Sequence, residues 1–332
     1  MSLYRAEMRR LTKRRFTKFF VLIALVVLGL LAGGTAYTHE KTTAKTRAAA
    51  EAAADRDYQE QLQFAEQARQ ECRQNPSNFG GDCDNISGPA REDISSDQFL
   101  TPPFDFREDF GVLVVAWAAM LALVAFIIGA SFVGAEWNSG GMMNLLLWRP
   151  QRLRVLSTKL VALLSWLFGL SVLSGAVWTG LFWLIATLRG TTERVTPGAW
   201  QSIGLTGLRG LALVLVAGAI GFGVASIGRH TAAALGAAIG VIVIFQFGLG
   251  IVLELARAKF YEAYLLPAWI GGWMLKSYEV VDYNAPCDYS ATNGCEQPTF
   301  TITWQMAGGL FATVALIIVG AAMMTIRKRD IT

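Results

Sequence analysis

Charged side chains are scarce in this sequence: 16% of its 332 residues are Asp, Glu, Lys or Arg, where soluble domains carry about 25%. Residues suited to catalysis are scarcer still. There are two histidines, His39 and His230, no H-E-x-x-H pattern, and no paired carboxylates within the apolar runs. Neither a zinc hydrolase nor an intramembrane proton relay is written into such a chain. No Gly-Lys dipeptide occurs, which excludes the phosphate-binding loop G-x-x-x-x-G-K-[ST]. ATP-driven work would need a nucleotide site on another chain, and we expect no cofactor on this one. What abounds is apolar: 53% hydrophobic residues, 33 Gly and 10 Trp, with a mean hydropathy of +0.40. This is the composition of a polytopic membrane protein, with small residues where helices pack and Trp at the interfaces. A soluble enzyme, a disordered tail and a disulfide-rich miniprotein are excluded. The net charge of +4 is no nucleic-acid signature, because the charges stand in blocks between apolar runs.

Six runs are long and apolar enough to cross a hydrocarbon core, which takes about 20 helical residues. They cover roughly 19–37, 111–134, 160–188, 210–228, 231–253 and 303–326. Arg209 opens the fourth and is expected near the interface, where its guanidinium can snorkel. Basic residues fix the orientation. Arg5, Arg9, Arg10, Lys13, Arg14, Arg15 and Lys18 precede the first run, Arg149, Arg152, Arg154 and Lys159 separate the second from the third, and Arg327, Lys328 and Arg329 follow the last. Both termini are therefore expected on the cytoplasmic side of the membrane. The first run is read as a retained span, since it exceeds the 7–15 apolar residues of a signal peptide.

The chain thus divides into residues 1–37, 38–110 and 111–332. The first part joins an N-terminal amphipathic helix to span one. Tyr4, Met8, Leu11 and Phe19 fall near one face of that helix, which suits the inner membrane surface. The second part is an extracytoplasmic insertion. Ala48 to Cys72 lacks Gly and Pro and reads as helix, with Tyr58, Leu62, Ala65 and Cys72 on a face that can dock. Asn75 to Pro103 reads as irregular loop. A cap over the outer mouth is the favoured role for this insertion, ahead of a ligand-binding domain. The third part holds spans two to six, a cytoplasmic loop at 135–159 and an external region at 254–302, whose two short apolar runs suit re-entrant or interfacial helices. All four cysteines are external. Four cysteines allow three pairings, or free thiols, and local closure favours Cys72 with Cys83 and Cys287 with Cys295. Neither pair has the tight spacing of a zinc site, so no metal is expected.

Loop 135–159 is the most informative stretch. Glu136 ends a span, Gly140-Gly141 permits a sharp turn, an apolar Met142-Met143-Asn144-Leu145-Leu146-Leu147-Trp148 run follows, Pro150 stops it, and Arg152 and Lys159 flank the next span. A rigid wedge of this kind can transmit motion from a docked protein to two helices. The loop resembles the cytoplasmic loop of ABC-2-type permeases, the membrane subunits of many ATP-binding-cassette exporters. Glu136, Gly140, Leu145, Leu146, Pro150, Arg152 and Lys159 match that family's pattern, whereas Gly141 stands where the family often has Thr or Ser. The six spans, inner termini and broken helices before the last span are similar too, and only 38–110 is unlike the family's short first loop.

The resemblance implies an all-α, six-helix fold of the ABC-2 (type V) exporter kind. It implies that the loop is a coupling helix seated in a nucleotide-binding ATPase subunit, where ATP and Mg act. It also implies two permease chains, as a homodimer or heterodimer in membrane lipid, and a cargo path between them. This chain is then a transport subunit and not an enzyme, and an amphiphilic cargo such as a drug, peptide or lipid-linked compound is expected. Trp117, Trp166, Trp178, Phe245, Gln246 and Phe247 are the candidate pathway residues, although core or lipid contact is the ordinary fate of such side chains. Gln246 is a mid-span amide and needs a partner. Gly236 with Gly240, and Gly218, Gly221 and Gly223, are expected to serve helix packing within one subunit. Two rival readings remain: a non-transport module whose insertion binds a ligand while the loop anchors an ATPase, and a secondary transporter.

Overall fold

The computed structural model describes residues 3–76, 83–148, 151–285 and 297–328. Its elements run α1 (Leu3–Lys13), α2 (Arg15–Thr38), α3 (Ala44–Gln74), β1 (Phe104–Asp105), α4 (Phe106–Asn138), α5 (Gly141–Trp148), α6 (Arg152–Arg189) and β2 (Gly190–Thr191). They continue with α7 (Pro197–Gly228), α8 (Thr231–Val241), α9 (Leu249–Leu255), α10 (Leu266–Leu275), β3 (Ser277–Val281), β4 (Thr299–Thr303) and α11 (Trp304–Lys328). Six helical segments have the length and hydropathy of membrane spans: α2, α4, α6, α7, the continuous stretch Thr231–Leu255, and α11. The expected six spans are all present. Several are longer than the apolar runs alone suggest. The 33 residues of α4 reach about 50 Å at 1.5 Å per residue, so their polar ends extend beyond a 30 Å hydrocarbon core.

Residues 1–30, 110–180 and 195–332 form one compact unit, and 31–109 with 181–194 form another. In the first, α7 is the central helix. Over half of its apolar window is buried, against 6% for Thr231–Leu255. Glycine explains the closeness of α4 and α7. A Cβ on Gly129 would run into the Gly218 carbonyl, and one on Gly221 into the carbonyl of Phe126. Gly223 packs in the same way against Ile318 of α11. Gly236 and Gly240 behave otherwise than expected, since open space lies where a Cβ on either would project. That small-residue face of α8 is not used for packing within the described chain.

Thr196 caps α7 by accepting from the Ala199 N–H (3.3 Å), and Pro197 sits in its first turn. The helix therefore begins well before the apolar run at 210, which places Arg209 inside it. The Arg209 guanidinium lies 5.7 Å from the Trp304 ring at the start of α11, and its carbonyl accepts from Trp273 Nε1 (2.8 Å). That position against two indoles, one opening the last span, suits an interfacial arginine. Between α8 and α9 the helix widens to π geometry over Ile242–Gly248. There the side-chain oxygen of Gln246 accepts from the Leu266 N–H at 3.2 Å, so the mid-span amide has a partner at the first residue of α10.

The 254–302 region contains a 3₁₀ turn (Tyr261–Tyr264) and the short α10, as its broken apolar runs imply. It also contains an antiparallel pairing of β3 with β4, from Ser277 opposite Thr303 to Val281 opposite Thr299. Ala268, Val280, Ile302 and Ala307 form the core beneath it, flanked by Trp269, Trp273 and Tyr278.

In the second unit, α3 opens with a capping box, Thr43 accepting from the Thr46 N–H and Thr46 returning the bond to Thr43 N–H. Its expected docking face is filled by the returning segment. Leu62 and Ala65 meet Gly88, Arg69 donates twice to the Ile86 carbonyl (3.1 and 2.7 Å), and Arg91 pairs with Asp55 at 2.7 Å. A Cys72–Cys83 disulfide closes the end. Cys287 and Cys295 lie outside the described residues. Phe104 of β1, fully buried, pairs in parallel with Gly190 of β2.

Candidate coupling site

The end of α4 is shaped by one glycine. Gly140 has φ of +70°, a left-handed conformation that costs an L-residue roughly 1–2 kcal/mol and glycine almost nothing. Its N–H donates to the Trp137 carbonyl (3.2 Å), closing α4, while its own carbonyl accepts from the Asn144 N–H (3.2 Å), opening α5. One residue thus turns the chain from a long span into a short helix. Met142 is fully buried, Gly141, Met143 and Asn144 are exposed, and Leu145 is half-buried. Leu146 lies on α5, its side chain outside the described set, as is Pro150. Arg152 is half-buried at the first residue of α6.

Behind this turn lies a buried ionic cluster. Lys159 is wholly buried, and its Nζ stands 2.8 Å from Glu7 Oε1 and 2.7 Å from Glu136 Oε2. Arg10 Nη1 reaches Glu136 Oε1 at 2.9 Å and Glu7 Oε1 at 3.8 Å from a more solvated position. Two carboxylates face two cations, so the cluster is neutral within itself, the condition under which buried charge is tolerated. Phe132 lies under the ammonium at 5.2 Å. Arg14, in the link between α1 and α2, donates to the Ser131 carbonyl (3.2 Å). Burial pushes its guanidinium below its ordinary range, while Glu136 and Glu7 pull it back and Arg10 adds to the depression.

Glu136 and Lys159 were expected here; Glu7, Arg10 and Arg14 were not. Glu7 is the only acid among the first 18 residues, and it lies three residues after Tyr4 and four before Leu11, on the face read as apolar. Glu7 and Leu11 are the two buried residues of α1, so this helix is held to protein as well as suited to a membrane surface. A second tie sits one residue further along α4. Trp137 lies 5.0 Å beneath the guanidinium of Arg229, the left-handed residue that caps α7, and Gly134 packs against Thr231 at the start of α8. His230 is spent in capping α8, its Nδ1 accepting from the Ala232 N–H (3.1 Å). The last turn of α4 therefore touches α1, α6 and the α7–α8 corner.

The six candidate pathway residues do not gather at one place. Trp117 and Trp178 are buried and share a cavity, with Nε1 donating to Ser174 Oγ (3.2 Å) and to the Leu113 carbonyl (3.1 Å) respectively. Trp166 is half-buried on α6, whereas Phe245 and Phe247 are 57% and 62% exposed on the π segment. Among the described residues no group of His, Cys, Asp and Glu has the arrangement of a metal site.

Comparison with known proteins agrees with this architecture. No curated protein and no solved structure matches the chain. A family model described as ABC-2 family transporter protein matches residues 1–326, almost the full length, including α1, the turn at Gly140 and all six spans. This multi-pass membrane protein belongs to the ABC-2 transporter family and is an ABC permease subunit.

Proposed function

We propose that this chain is the membrane half of an ATP-driven exporter. A separate cytoplasmic ATPase carries ATP and Mg and docks on α5, with two permease chains and two ATPases forming the transporter. Both termini face the cytoplasm of a bacterial plasma membrane, and an amphiphilic cargo passes along the permease–permease interface. The observation that supports this reading is the joint placement of a short helix exposing Met143 and Asn144 and the cluster of Glu7, Lys159, Glu136 and Arg10 behind it. The helix offers Met143 and Asn144 to a partner, and the cluster fixes α1 to the two helices that α5 connects. A mechanical input at α5 then moves three helices together instead of bending one loop. Glu136, Gly140, Leu145, Leu146, Pro150, Arg152 and Lys159 form this input, and Glu7 and Arg10 extend it.

Affinity purification in mild detergent, with mass spectrometry of co-purifying chains, tests the proposal. The expected result is a stoichiometric soluble ATPase that is lost when Met143 is replaced by Glu. A preparation free of any ATPase, or one whose ATPase tolerates Met143→Glu, overturns it.

A further inference from the structure

A cavity of about 270 Å³ lies between α4, α6 and α7, within a single subunit. Its walls are mostly apolar. Trp117 of α4, Trp178 of α6 and Trp200 of α7 supply three indoles, and Val114, Ile203 and Leu211 fill the gaps between them. The volume is close to the lower bound for small-molecule sites, about 300 Å³. Its rim reaches the outside of the helices, since Val172 is 50% exposed, Leu208 61% and Trp200 41%. One polar feature sets it apart from a packing defect. Ser171 is one of the residues lining the cavity and is 1% exposed, yet among the described residues its hydroxyl has no hydrogen-bond partner. A helical serine ordinarily turns its hydroxyl onto the carbonyl four residues back, as Ser165 does with Val161 and Thr179 with Gly175. An unmade bond in so apolar a setting is costly, and such groups call for a missing partner.

Two glycines of α7 border the cavity, Gly204 at its exposed edge and Gly207 half-buried, and packing does not require either. Gly204 and Gly207 both line the cavity, and a Cβ on either would project into open space. At Gly210, one turn further along α7, a Cβ would meet Ala118 at 2.8 Å and Trp117 at 3.0 Å. Glycine is thus required by contact at 210, whereas at 204 and 207 it leaves room.

We propose that this cavity is a binding site for a compact amphiphile with an apolar body and one hydroxyl-type group. The body lies among the three indoles, and the Ser171 hydroxyl, closed off in the unliganded conformation, turns to the cavity to exchange a hydrogen bond with the polar group. An unsubstituted acyl tail fits the walls but leaves Ser171 unpaired, which is why the polar group belongs to the ligand. Binding here needs neither the ATPase nor a second permease chain, so this site and the proposed exporter mechanism stand or fall separately.

The test uses the purified full-length protein in nanodiscs and two matched quenchers, 8-bromo-1-octanol and 1-bromooctane, read by tryptophan fluorescence. The bromoalcohol is expected to quench saturably and to bind about five- to tenfold more tightly than the bromoalkane, the size of one hydrogen bond. Ser171→Ala should bring the two probes to equal affinity. Gly204→Leu should remove saturable quenching by filling the cavity, with Gly207→Leu as a second filling variant should the first fail to assemble. Linear quenching matching bulk partition overturns the proposal, as does saturable quenching unchanged by both leucine variants. Equal affinity for both probes in the parent protein also overturns it, since that marks a plain alkyl-chain groove.

Discussion

Lys159→Met strips the wholly buried cation from between Glu7 and Glu136, whose side chains are 2% and 17% exposed. Methionine keeps most of the aliphatic stem, so packing against Phe132 changes little and the loss is electrostatic. Removing one partner from a buried pair costs about 3–5 kcal/mol, because the remaining charge has neither water nor counter-ion. Arg10 offsets only part of this, since it is 59% exposed and a solvated pair contributes about 0–1 kcal/mol. The cheapest escape is release of α1, which returns Glu7 to water while the spans stay folded. A cost of about 3 kcal/mol raises the released fraction more than a hundredfold. A cysteine placed at Leu11, fully buried on α1, reports this fraction as its rate of maleimide labelling, provided reclosing outpaces labelling. Glu7→Gln added to Lys159→Met restores neutrality, leaving Glu136 with Arg10, and should recover most of the protection. Labelling of Lys159→Met within threefold of the parent rate refutes the argument. So does a double variant as exposed as the single one.

Gly140→Val places a β-branched residue at φ +70° and should cost at least 1–2 kcal/mol; in reconstituted transporter it should lower cargo moved per ATP hydrolysed without blocking membrane insertion, and an unchanged ratio counts against the turn. Glu136→Ala should likewise uncouple hydrolysis from transport, and full coupling in that variant removes Glu136 from the site. Gln246→Leu leaves the Leu266 N–H without its acceptor and should destabilise the protein by about 1–3 kcal/mol; an unchanged melting temperature refutes the bond's role. Reduction of Cys72–Cys83, separated by 11 residues, should cost the insertion about 2.5–3 kcal/mol by loop entropy, visible as earlier thermal loss of helical dichroism, and a superimposable melt rejects it.

The parts of this fold that were legible in the sequence are those decided by local chemistry. Span number follows from apolar run length, the docking face of α3 from the recurrence of Tyr58, Leu62, Ala65 and Cys72, and the turn at residue 140 from a glycine where a helix must stop. Helix ends were harder, because Thr196-Pro197 starts α7 by capping chemistry that hydropathy ignores. The β3–β4 pairing was signalled weakly by the β-branched and aromatic residues of Tyr278-Glu279-Val280-Val281 and Thr299-Phe300-Thr301-Ile302-Thr303. Two five-residue runs beside a membrane span read as loop until their pairing is seen. Small-residue spacing misled at Gly236 and Gly240, which have the same G-x-x-x-G separation as packing motifs, but a Cβ on either meets nothing among the described residues.

Glu7 shows the boundary between what was and was not legible most clearly. An acid on the apolar face of an otherwise basic helix is locally unfavourable, and such a conflict ordinarily marks a constraint imposed from elsewhere. The elsewhere is Lys159, 152 positions away in sequence and 2.8 Å away in space. Lys159 presents the same conflict from the other side, a cation immediately before the apolar run of span three. Each residue alone reads as a topology signal, and only their meeting makes a cluster. A cluster built from α1, α4 and α6 around the α5 turn ties together the helices that a docked partner would have to move. A hydrophobic contact there would hold α1 as well or better. Paired charges additionally fix which residue of α1 faces which residue of α6, because any slip along the helix separates Glu7 from Lys159.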